Sequence, residues 1–164
     1  MHEILDAIGS SPIGDFMAAD PAAFPAVETV HVVAITTVIG LIAIVDLRLI
    51  GLAAISYPIS RLSRALLPPT WIAFLLAAIS GTLLFMSQPP AYFDNMAFRI
   101  KIALILLAGL NMLVFHFITM RDIAAWDRGG SIPVTARLAG LLSLLIWIAV
   151  VACGRWIGFT IAPF

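Results

Sequence analysis

Four long apolar runs divide this chain, each fenced by charges, prolines or glycines. The first, ETVHVVAITTVIGLIAIVDLRLIG from Glu28 to Gly51, holds no charge between Val32 and Val45. About twenty apolar residues in a helix cross the roughly 30 Å hydrocarbon layer of a bilayer. The pattern therefore predicts membrane-spanning helices over about 26–53, 70–88, 98–120 and 134–159. Pro68 and Pro69 are expected to open the second span and Pro89-Pro90 to close it, because proline ends helices. Residues 1–25 are punctuated by Pro12, Gly14, Pro21 and Pro25 and read as a short interfacial segment, with Phe16, Met17 and Phe24 dipping into the headgroup layer. The expected fold class is all-α: a four-transmembrane-helix bundle over 26–164 with an interfacial N-terminal segment over 1–25.

Small residues recur at spacings that let helices approach closely. Ala73, Ala77 and Gly81 lie four apart on span two; Ala136 with Gly140, and Gly154 with Gly158, do so on span four. These faces also make self-association plausible.

Composition sharpens the picture. The chain is 62% hydrophobic and 11% charged, against about 25% charged in soluble proteins. So short a chain cannot bury that much apolar surface in its own core, so lipid must cover it. Net charge is zero and the basic residues are scattered, which excludes a nucleic-acid footprint. The single Cys153 excludes an internal disulfide and any CxxC motif. The opening MHEILDAIG lacks the basic and apolar regions of a signal peptide, so span one is expected to serve as the insertion signal. Arg48, Arg61, Arg64, Arg121, Arg128 and Arg137 flank the 1–2 and 3–4 connections, whereas Arg99, Lys101 and Arg155 lie at the other end. The positive-inside rule then predicts both termini outside and the two basic connections in the cytoplasm.

Ionisable groups at the margins of the spans are the candidates for chemistry, because lipid makes them costly without partners. Glu28 and His31, three apart, share a helix face and read either as a carboxylate-held ligand or relay histidine or as an interfacial histidine bonded to a neighbour. Asp46 and Arg48 point about 200° apart and cannot pair with each other. A structural ion-pair lock is expected instead. Asp46 would take one of Arg61, Arg64, Arg121, Arg128 or Arg137, and Arg48 would take Asp122 or Asp127. Arg155 is expected to be neutralised by Glu28 or Asp94. Asn111, in mid-span, and Lys101 are expected to bond across helices.

Met112, His116 and Met120 form a stripe repeating every four residues on span three. Thioethers with an imidazole suit copper(I) or haem iron, although methionine is also an ordinary core filler. His31 and His116 should lie roughly 15–20 Å apart in depth, too far to ligate one haem.

The passages HVVAITTVIGLIAIVDLRLIGL, FRIKIALILLAGLNMLVFH, SLLIW and CGRWIGF resemble an uncharacterised family of small bacterial four-helix membrane proteins, classed as a domain of unknown function. The resemblance covers spans one, three and four. It implies interest in His31, Asp46, Arg48, Lys101, Asn111, His116 and Arg155, and it brings no activity. The layout is also loosely similar to CopD-type and cytochrome b-type membrane domains.

Three functions follow as expectations. The first is a non-enzymatic membrane subunit or helper that binds a partner, as a homo-oligomer or in a larger complex. The second is a haem b or copper protein built on His31 or on His116 with Met112 and Met120. The third is a small transporter or proton relay, disfavoured because no span is broken midway by glycine and proline together.

Overall fold

The computed structural model describes residues 2–127 and 131–161, leaving aside the side chains of residues 122, 124 and 125. All its regular structure is helical. Two short helices, α1 (His2–Gly9) and α2 (Pro12–Ala19), precede α3 (Ala23–Ile50) and α4 (Ile59–Ser87). The six-residue α5 (Pro89–Asp94) leads into α6 (Met96–Phe117). A 3-10 turn (Thr119–Asp122) and a short α7 (Ile123–Trp126) connect to α8 (Val134–Thr160). Four of these helices are long and apolar enough to cross a membrane, the third running on to Arg121.

Local chemistry explains most boundaries. Ser11 caps α2 by accepting the Gly14 N–H at 3.1 Å, and Pro12 occupies the first helical position. Asn95 does the same for α6, accepting from Phe98 N at 3.2 Å. α3 stops at Gly51, whose φ of 89° is left-handed. The Gly51 N–H reaches Arg48 O at 3.2 Å and the Leu52 N–H reaches Leu47 O at 2.9 Å, the paired bonds of a Schellman stop.

Span two departs from expectation. Its helix begins at Ile59 and continues through Pro68 and Pro69 instead of starting after them. The prolines remove two backbone donors, but within a bundle neighbouring helices and hydroxyls compensate such losses. The carbonyls that lose their helical donors are those of Arg64 and Ala65, and the Thr70 hydroxyl makes a further bond to Leu66 O at 2.7 Å beside them.

Helix α3 is the hub, packing along both α4 and α8, while α6 packs along α8. One core draws on all four spans: Val38 from α3, Ala73 from α4, Ala108 from α6, and Ile146, Trp147 and Val150 from α8. The α4–α6 side stays more open. Its ring contact is Phe85 stacked on Phe98, with centroids 5.5 Å apart. At the N-terminal end, α2 lies on α4 and α1 on α5. Met17, expected among headgroups, is instead buried with Ala23 and Leu84, because α2 turns its apolar side to the bundle.

The small-residue faces divide by contact. Ala73 and Ala77 are buried, and Gly81 lies against the His31 ring. Ala136 is wholly buried. A Cβ on Gly140 would come within 2.9 Å of Leu49 Cβ and 3.1 Å of the Asp46 carbonyl oxygen. Gly158 faces open space. Gly140→Ala should therefore cost about 1–3 kcal/mol by forcing α3 and α8 apart, and Gly51→Ala about 1–2 kcal/mol through its left-handed backbone. Thermal unfolding in detergent checks this against Gly109→Ala, where a Cβ meets nothing within 4 Å. Equal stability of all three variants would contradict the packing described.

Candidate functional site

Polar side chains gather at both ends of the bundle, and helix packing brings them together from distant parts of the chain. At the end near the N-terminal helices, His31 of α3 faces α4. Its Nδ1 lies 3.0 Å from Ser80 Oγ. The Ser80 hydroxyl donates to Leu76 O at 2.7 Å, and the Ala77 backbone is a further hydrogen-bond partner of the ring. A Cβ on Gly81 would sit 2.8 Å from His31 Cε1, so only glycine leaves room for the ring. Lys101 of α6 is close enough for its charge to act on His31, and its Nζ is 3.7 Å from where a Gly154 Cβ would stand. Cys153 of α8 is its other electrostatic neighbour. Thus all four spans contribute to one cluster. A metal cation on His31 would be repelled by the Lys101 ammonium, so this imidazole suits hydrogen bonding better than ligation.

At the opposite end, the expected ion-pair lock does not form. Among the described residues, no carboxylate stands in an ion pair with arginine, lysine or histidine. Asp46 is 5% exposed. Its Oδ2 is buried without a hydrogen-bond partner, and the polar group beside it is Ser143 of α8. The close α3–α8 crossing at Gly140 seals the carboxyl inside the bundle, away from Arg61, Arg64, Arg121 and Arg137. Arg48 is also buried, and its Nε donates to Tyr57 O at 2.8 Å. Asp127 serves α4 instead. Its Oδ1 accepts Ile59 N at 2.5 Å and Ser60 N at 3.3 Å, and its Oδ2 accepts the Ser60 hydroxyl. The N-cap position of α4 is Pro58, which has no capping side chain. An aspartate 68 residues away in sequence therefore caps the positive end of that helix. Asp122, the other expected partner of Arg48, has its side chain outside the described residues, as does the whole of Arg128.

Arg155 does not pair with Glu28 or Asp94. It is exposed, and its guanidinium stacks 4.6 Å from the Phe159 ring centroid, one turn along α8. Arg121 is exposed without an acidic partner among the described residues. Glu28 is likewise exposed, and its charge acts on Tyr92 rather than on His31. Asn111 Nδ2 donates to Ala139 O at 3.0 Å, tying α6 to α8.

The methionine–histidine stripe is partly broken. α6 ends at Phe117, and Met120 belongs to the 3-10 turn that follows. His116 and Met120 nevertheless line one cleft of about 460 Å³ with Ser60, Ser63, Arg64 and Pro68, whereas Met112 does not reach it. His31, level with Gly81, and His116, level with Ser60–Pro68, are separated by roughly 20–30 Å along α4. They cannot flank one haem. No group of three or more histidine, cysteine or acidic side chains converges on a metal-sized site among the described residues.

With the fold and these clusters in view, comparison with known proteins gives one match. A family model, the family of unknown function DUF6644, matches residues 12–160. The chain belongs to this family. No curated protein matches it, and no solved structure does. Membership in DUF6644 spans α2 to α8 and assigns no chemistry. The loose CopD-type and cytochrome b-type likenesses gain no support from it.

Sequence reasoning missed Ser80, Trp126 and the capping role of Asp127. Pro58 at a helix start, with no capping side chain of its own, was the available signal for the last. Asp127→Ala should destabilise the fold by about 1–2 kcal/mol through loss of this cap, with Asp127→Asn retaining part of it. Unfolding by SDS titration reads the difference, and an unchanged midpoint in Asp127→Ala would remove the cap from the account. A second outcome concerns Tyr92, whose phenol burial and then the charge of Glu28 push above its ordinary value. A carboxylate opposes the phenolate, so Glu28→Gln should lower the midpoint of the Tyr92 titration. Ultraviolet absorbance on a Tyr57→Phe background measures it, and an unmoved midpoint would separate the two residues.

Proposed function

We infer that this chain is a membrane subunit or helper that binds a partner protein within the bilayer, along the edge where α4 and α6 stand apart. His116 carries this reading. It is an exposed imidazole on a spanning helix, without a hydrogen bond among the described residues and with the ring of Phe117 beside it. Such groups in membrane helices are costly toward lipid and normally face another helix or a polar cavity. Ser63 and Arg64 of α4 line the same cleft and add donors to it. α6 is also the least buried of the four spans, so a further helix can reach it without displacing anything. The partner is a helix offering a hydrogen-bonding side chain, from another protein or from a second copy. The balance of arginine and lysine supports placement in a bacterial inner membrane with both termini periplasmic.

One observation favours a second reading. His116 and Met120 share the cleft, and both are ligand types for copper(I) or haem iron. Arg64 in the same lining opposes a cation there.

In mild detergent, the tagged chain should bring down a stoichiometric second polypeptide or copy. His116→Leu should lose it while the thermal unfolding midpoint stays within about 2 °C, as for a surface change. A lone monomer from the unaltered chain would end the partner reading. A Soret band, or copper retained by the unaltered chain and lost in His116→Leu, would favour the second.

A further inference from the structure

The basic end of the bundle contains a second cleft, with a lining distinct from that of the His116 cleft. It encloses about 580 Å³ between the end of α3, the 51–58 loop, α7 and the start of α8. Arg48, Tyr57, Trp126, Asp127, Ser131 and Arg137 are among its lining. Three features distinguish it from an ordinary surface hollow. Arg48 is only 7% exposed, and one of its donors is used, Nε on Tyr57 O. The terminal nitrogens of its guanidinium have no acceptor among the described residues. Trp126 is 6% exposed, and its indole Nε1–H is buried without an acceptor. Asp127, the one carboxylate in the lining among the described residues, already spends its oxygens on the start of α4.

Among the described residues the cleft thus carries two arginines and an unpartnered indole N–H, and its carboxylate is already engaged. A buried donor without an acceptor is unfavourable, and an arginine fork is matched by two oxygens of a phosphate or carboxylate. The cleft also opens at the end of four apolar helices, which is headgroup depth, where tryptophan is favoured and basic pockets between spans meet anionic lipid. We propose that this cleft holds the phosphodiester of an anionic phospholipid, with Arg48 and Arg137 binding phosphate oxygens and the Trp126 indole donating to the same headgroup. The proposal is independent of the α4–α6 partner edge, so either can fail alone.

The test exchanges the purified chain from micelles holding equal amounts of phosphatidylglycerol and phosphatidylcholine, then counts retained lipid by native mass spectrometry. The unaltered chain should keep one phosphatidylglycerol in preference to phosphatidylcholine. Arg137→Gln, an exposed position whose change leaves the fold intact, should lower retention about tenfold, the loss of one charged hydrogen bond. Trp126→Phe, which removes only the N–H and keeps most of the ring, should lower it about threefold. Equal retention of the two lipids, or phosphatidylglycerol retention unmoved in both variants, would overturn the proposal. Displacement of the lipid by millimolar inorganic phosphate would also overturn it, by making the cleft a site for a free anion.

Discussion

Hydrogen bonds from side chains to the backbone or hydroxyls of a neighbouring segment, not charge against charge, are what this bundle depends on. In hydrocarbon an unsatisfied polar group costs several kcal/mol. The spans meet that demand pair by pair. α3 is tied to α4 through His31 and Ser80, and α6 to α8 through Asn111 and the Ala139 carbonyl. The chain between α6 and α8 is tied to the start of α4 through Asp127. Asn95 and Thr160 close the other end of α6 on α8 at 2.8 Å. Each bond joins residues far apart in sequence, so each also fixes which helix stands next to which.

Small residues make those bonds geometrically available. Dispersion and close approach must hold transmembrane helices together, because lipid is as apolar as leucine. Gly140 lets α8 lie on the backbone of α3 beside Asp46, and Gly81 lets the His31 ring reach Ser80. The same crossings isolate Asp46 and Arg48 from the charges that flank them in the sequence. An unpaired buried carboxyl and a guanidinium with free donors are the consequence. Of the two, Arg48 lines a cleft, whereas the Asp46 carboxyl is closed off inside the bundle.

The two ends of the molecule differ in what they leave open. Near the N-terminal helices, the cluster of His31, Ser80, Lys101 and Cys153 is drawn from all four spans. At the basic end, two clefts flank the bundle, one beside His116 on the α4–α6 edge and one beside Arg48 and Trp126. The inference of a binding role, rather than a redox centre, rests on this asymmetry. The histidines stand at opposite ends, and donors without acceptors collect where a partner or a headgroup can reach them.

Hydropathy and length by themselves determined that the chain is four spanning helices, because lipid imposes one requirement on every residue of a span regardless of its neighbours. They also located His31, Asp46, Arg48, Lys101, Asn111 and His116 as polar groups inside or bordering apolar helices. They did not reveal the partner of any of these. Asp46 and Asp127 looked alike as acids near arginines, yet one is sealed against Ser143 and the other caps α4. Pro68 and Pro69 looked like a helix start, yet the helix passes through them. Tertiary structure alone decided these matters. A side chain's partner depends on helix rotation and crossing, and a one-dimensional pattern of apolar and polar positions leaves both free.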